Sequence, residues 1–204
     1  MKKYIGILLG VMLAVFLTTS SSEASTLYFT EDLSSDGLGS SPFGEVVLTQ
    51  NGTSVDFTIT LYDNNKFVIT GVDKFDFFFN ANDILVNDIT GEGLIAGYGD
   101  FGDNGKGFYD YGVFYDGQKN GNAGAITGPL CFSIANSVID DFVSLDVIAL
   151  NTKEYIFSAD IISSKTGFTG LVAVSSNPVP EPATMLLLGA GLIGLAGFGR
   201  KFKK

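Results

Sequence analysis

The 204-residue sequence has no histidine, no tryptophan and a single cysteine, Cys131. Without an imidazole, neither Ser-His-Asp nor Cys-His catalysis can be assembled, and the usual zinc sites lose their commonest ligand. One thiol cannot close a disulfide within the chain, so the fold must rest on packing. Cys131 lies in the apolar stretch Pro129-Leu130-Cys131-Phe132 with no base to deprotonate it, and is expected to be a small buried side chain. Cations are scarce too: between residues 25 and 178, six basic residues stand against 20 acidic ones, a net charge of −14. A field of that sign repels nucleic acid and anionic lipid, which sets nucleic-acid partners aside, and it favours solubility and divalent cations.

What is present is concentrated first at the two ends. Lys2 and Lys3, an apolar run from Ile5 to Leu17 and the small-x-small site Ser22-Glu23-Ala24 predict a secretory signal peptide over residues 1–24, cut between Ala24 and Ser25. Its partners would be the export machinery and signal peptidase. At the other end, Ala183 to Gly199 is 17 residues without a charge, a helix of about 25 Å at ~1.5 Å per residue and just long enough to span a bilayer core. Arg200, Lys201, Lys203 and Lys204 follow at once, and such a cluster stays cytoplasmic because moving it through the apolar layer is costly. Gly191, Gly194 and Gly197 form a small-residue strip, read either as a docking face for another helix or as ordinary membrane-helix composition. Before the span, Pro180 and Pro182 restrict the backbone to extended conformations, leaving Val179 to Pro182 open as a strand-like substrate, with Glu181 as its one charge.

Pro180-Glu181-Pro182, the Gly-rich apolar helix and the closing Arg/Lys cluster, in that order, resemble a PEP-CTERM sorting signal of Gram-negative bacteria. The resemblance covers only about the last 26 residues and implies a specific partner, an exosortase, which is an integral-membrane cysteine transpeptidase-like enzyme. It further implies an inner-membrane precursor cut at or near the motif, and a mature protein at the cell surface or in the extracellular matrix. Exopolysaccharide and biofilm are the setting that the family implies.

Between the ends, residues 25–178 are the size of one domain and carry the periodicity of strands. Val55, Phe57, Ile59 and Leu61 alternate with Asp56, Thr58, Thr60 and Tyr62, and Asn51-Gly52 before them predicts a type I′ hairpin with a strand over Glu45–Gln50. Further strands are predicted at 27–30, 66–70, 74–80, 84–90, 107–115, 130–134, 142–150, 155–162 and 171–174, and no stretch shows sustained helical periodicity. The fold class is therefore all-β, an antiparallel β-sandwich with the jelly roll as one form of it. The organisation expected is a signal peptide at 1–24, an ectodomain at 25–174, a linker at 175–182, a membrane helix at 183–199 and a basic tail at 200–204. Phe75, Phe77 and Phe79 are expected to share a core-facing side, with Phe78 opposite.

A ligand site is expected in the Gly-rich, loop-like segment from Gly91 to Gly124. Tyr98, Tyr109 and Tyr111 offer rings that stack on sugars, while Asp100, Asp103, Asn104 and Asp110 offer hydrogen-bond partners for hydroxyls. The bland alternative places the aromatics in the core and the Asp, Asn and Gly residues in turns. Asp100, Asp103 and Asn104 among glycines also suit calcium, the one cofactor entertained, although the spacing is not an EF-hand loop. An enzyme would have to work with carboxylates alone, as glycosidases do, and no Asp or Glu stands in a motif that marks it. The expectation is a structural or adhesive protein with no catalytic residues and no resident metal.

Overall fold

The computed structural model describes residues 23–34, 37–70, 74–101, 109–143 and 155–175. Within them the chain forms two antiparallel sheets. A five-stranded sheet runs in the order β1 (Ala24–Tyr28), β3 (Gly44–Asn51), β4 (Ser54–Leu61), β10 (Leu130–Ala135) and β7 (Ile89–Thr90). A seven-stranded sheet runs β2 (Glu31–Asp32), β12 (Thr169–Ser175), β11 (Tyr155–Ile162), β6 (Phe77–Phe79), β9 (Tyr109–Tyr115) and β8 (Leu94–Phe101), with β5 (Lys66–Phe67) also on β11.

The two sheets close on one apolar core. In the five-stranded sheet, alternation sends Val46 and Leu48 of β3, Val55, Phe57 and Ile59 of β4, and Leu130, Phe132 and Ile134 of β10 inward. Phe77, Phe79, Tyr111, Phe157, Ala159, Ile161, Val172 and Val174 meet them from the seven-stranded sheet. Phe57 joins the layers, with its ring centroid 4.6 Å from Phe132, 4.9 Å from Phe142, 5.8 Å from Phe79 and 6.1 Å from Phe157. Offset and edge-on rings at these separations add to the area they bury.

The all-β antiparallel sandwich agrees with the periodicity, and several details do not. The β3–β4 loop is Gly52-Thr53, not Asn51-Gly52, because Asn51 still pairs with Ser54. Only Gly52 in that loop takes positive φ, at 63°, which is the sign pattern of a type II′ turn and not of type I′. The strand predicted at 84–90 is reduced to β7, and Val86–Asp88 forms a 3-10 turn in front of it. The strand predicted at 142–150 opens instead as a short helix, α1 (Asp140–Val143), while 144–150 lie outside the described residues. Both turns share a cause: an aspartate reaches back to the amide three residues earlier, Asp88 to Leu85 at 3.2 Å and Asp141 to Val138 at 2.8 Å, closing the turn locally. Cys131 is exposed, since β10 sends its neighbours Leu130 and Phe132 into the core.

Phe75 also departs from its expected place. Lys74 before it has φ of 54°, and β6 starts only at Phe77, so Phe75 does not keep the alternation of Phe77 and Phe79. Its ring packs with Phe78, Phe101 and Phe114, at 6.2, 4.5 and 5.3 Å, on the sheet face away from the core. Gly97 and Gly112, paired across β8 and β9, make room for it: a Cβ at either would stand 2.6 Å from the ring.

Candidate functional site

The sorting residues Pro180, Glu181, Pro182, Arg200, Lys201, Lys203 and Lys204, and the apolar run 183–199, lie outside the described residues. Among the described residues no helix is long and apolar enough to cross a membrane. The last described strand, β12, ends at Ser175, five positions before Pro180. At the opposite end Ala24 and Ser25 belong to β1, facing Thr49 and Leu48 of β3, and the Gln50 amide donates to the Glu23 carbonyl at 2.8 Å. The predicted cleavage site is thus part of a paired edge strand in the folded chain.

The segment expected to be loop-like between Gly91 and Gly124 is largely the β8–β9 hairpin, and it separates the candidate ligand residues. Tyr98 is 68% exposed, its ring 5.2 Å from that of Tyr111 in the facing position. Tyr111 is buried, stacks on Phe79 at 5.4 Å and donates its hydroxyl to the Ile84 carbonyl at 2.7 Å. Burial pushes the Tyr111 hydroxyl above its ordinary range, and Tyr98, Asp110 and Asp83 add to the shift. Tyr109 is buried against Phe78, on the other side of the sheet from Phe79, with its hydroxyl 2.6 Å from that of Ser158. The Asp110 amide donates to Asn80 Oδ1 at 2.8 Å. Asp100 is within β8, and Asp103 and Asn104 lie outside the described residues. Among the described residues, no group of three or more Asp, Glu, Cys or His side chains converges as a metal site would. Of the candidate rings Tyr98, Tyr109 and Tyr111, the hairpin leaves Tyr98 facing solvent.

A second polar centre, absent from the sequence expectations, lies in the seven-stranded sheet. β5 and β6 pair successively with the same edge of β11, and the break between them falls at Asp160. The main chain bridges this break: the Val68 amide donates to the Asp160 carbonyl, the Asp160 amide to the Asp76 carbonyl, and the Asp76 amide to the Val113 carbonyl, each at 3.0 Å. Two carboxyl groups serve amides that a continuous strand would have paired. Asp160 Oδ2 accepts from the Thr70 amide at 2.9 Å and from its hydroxyl, and Asp76 Oδ2 accepts from the Tyr115 amide at 3.3 Å. Asp76 Oδ1 takes the Gln118 side-chain amide at 3.0 Å. Both residues are buried, Asp76 completely. Burial raises the Asp76 carboxyl to about 7, with Asp160 adding a smaller push and the Gln118 and Tyr115 hydrogen bonds working against it. Beside it the Tyr115 hydroxyl, bonded to the Pro129 carbonyl at 2.8 Å, is raised to about 12 by burial and then by Asp76. The sequence signal for this centre is an aspartate set inside each of two apolar runs, Phe75 to Phe79 and Tyr155 to Ile162.

Residues 178–201 match the family described as the PEP-CTERM protein-sorting motif. No curated protein and no solved structure matches the chain. The match spans the proline-flanked glutamate, the apolar run and the first two residues of the basic cluster, and it marks the protein as exported and processed by an exosortase.

Proposed function

Because the chain carries a PEP-CTERM sorting motif, we propose that its sandwich is a structural or adhesive module of the cell surface or extracellular matrix, not an enzyme. The general export pathway delivers it, residues 183–199 hold the precursor in the inner membrane, and cutting at Pro180-Glu181-Pro182 releases it. The observation that carries this reading is the match at 178–201, set directly behind the last strand of a folded domain. The enclosed aspartates speak against hydrolysis, since Asp76 and Asp160 are buried in the sheet and are not presented to a substrate. If signal peptidase cuts before Ser25, it acts before β1 pairs with β3, because a protease needs the extended backbone that the ladder occupies. In the native host, Glu181→Ala and a chain ending at Gly199 should both accumulate as uncut membrane precursor, read by immunoblot and intact mass. Maturation equal to that of the unaltered chain in both variants would refute the sorting role.

A narrower reading, binding of exopolysaccharide, is favoured by the exposed Tyr98 ring with Asp83 and Asp110 acting on its neighbour Tyr111. A stacking ring is worth about 1 kcal/mol, so Tyr98→Ala should weaken retention on the host's polysaccharide roughly fivefold while leaving maturation intact. Unchanged retention would remove Tyr98 from any binding surface.

A further inference from the structure

Asp76 is fully buried at the point where the seven-stranded sheet is interrupted, and it connects three separate segments. Through its main chain it joins β9 and β11, and through its carboxyl it takes the Tyr115 amide and the Gln118 side chain. Both donors to the carboxyl are neutral, and the main-chain one is long at 3.3 Å. Across the strand pair stands Asp160, aligned by the bond from its amide to the Asp76 carbonyl. Two acids in adjoining positions of a sheet interior repel each other when both are ionised. Among the described residues, the titratable groups facing Asp76 are Asp160 from β11 and the Tyr115 hydroxyl from β9. Lys66 of β5, Lys74 ahead of β6, and Asp116 and Lys119 beyond β9 are exposed to solvent. The one ion pair among the described residues, Lys165 with Asp63 at 2.6 Å, involves none of these groups.

We propose that Asp76 is a proton-operated latch: protonated, it holds the junction of β6, β9 and β11 closed, and ionised, it loosens that junction. In the closed form the added proton removes the like-charge contact with Asp160, and the carboxyl keeps its carbonyl oxygen as an acceptor. In the open form a charge sits in the sheet interior, where the bonds from Tyr115 and Gln118 favour it but do not offset its loss of hydration and its repulsion from Asp160. The sign follows from linkage. The folded-state value of Asp76, about 7, lies above the ordinary carboxyl range, so its contribution to stability is full in acid and is lost as pH rises toward neutrality. An exported protein meets the pH of its surroundings without the buffering of the cytoplasm, so the sandwich would be firmest in mildly acidic matrix and looser where the medium turns alkaline.

The test is thermal unfolding of the full chain in detergent from about pH 5 to about pH 8, comparing the wild type with Asp76→Asn. Asparagine keeps the shape and carries no charge but sets an NH2 against one of the two donors, so the variant should show a flatter Tm profile across this range whatever its absolute Tm. Parallel profiles for the two proteins would overturn the latch. Should the variant not fold, 13C NMR of the Asp76 carboxyl in the wild type decides instead: a midpoint near neutrality supports the latch, and a midpoint in the ordinary carboxyl range rejects it. A calcium arm separates the other way of neutralising the pair. If millimolar calcium chloride at the alkaline end raises the Tm of the wild type and not of Asp76→Asn, a cation and not a proton closes the junction, and the proposal fails.

Discussion

The two sheets solve the problem of burial differently. The five-stranded sheet has one apolar side and one solvated side, so β3, β4 and β10 alternate residue by residue. In the seven-stranded sheet all three residues of β6 and six successive residues of β11, Ile156 to Ile161, are buried. Its outer side is covered by Phe75, Phe78, Phe101, Phe114 and Tyr109. The difference shows where polar chemistry can be enclosed. A sheet wetted on one side sends its aspartates and threonines to water, whereas a sheet covered on both sides must satisfy its polar groups internally, as Ser158 and Asp76 are.

The comparison is tested most strongly where the sheets meet. Phe57→Ala removes the ring that touches Phe79, Phe132, Phe142 and Phe157, and should lower stability by about 3–5 kcal/mol. Chemical denaturation should still give one transition reported alike by near-UV and far-UV signals; two transitions would mean that the sheets do not share a core. A smaller contrast comes from corresponding outward positions. Ser158→Ala in β11 removes the buried partner of the Tyr109 hydroxyl and should cost about 1 kcal/mol. Thr58→Ala on the outer side of β4 should stay within about 0.5 kcal/mol of wild type. Equal losses at the two positions would erase the distinction between a covered and a wetted outer side.

The same difference governs how much of the molecule is legible in its residues. β4 can be read directly, because Val55, Phe57 and Ile59 face the core while Asp56, Thr58 and Thr60 do not. The limits of β11, Tyr155–Ile162, coincide with the run of β-favouring residues, but nothing in that run reveals which neighbour takes which edge. β8 is concealed by its glycines: Gly97 and Gly99 resemble loop residues until Phe75 arrives from elsewhere in the chain to cover Gly97. Phe75 itself is misplaced by periodicity because a single positive φ at Lys74 resets the alternation. Asp76 and Asp160 stand out as charges among apolar neighbours, yet their meeting depends on strands more than 80 positions apart. The sorting motif is legible for the opposite reason. Its match lies within the consecutive residues 178–201, so no fold is needed to bring its parts together.

Cys131 points outward from β10 and is the sole sulfhydryl in the chain. A membrane-impermeant maleimide would therefore attach one reporter per molecule, on the wetted side of the five-stranded sheet. That stoichiometry turns the protein into its own topological gauge. Labelling on intact cells would follow its passage across the envelope in real time, with no foreign tag to disturb either terminus.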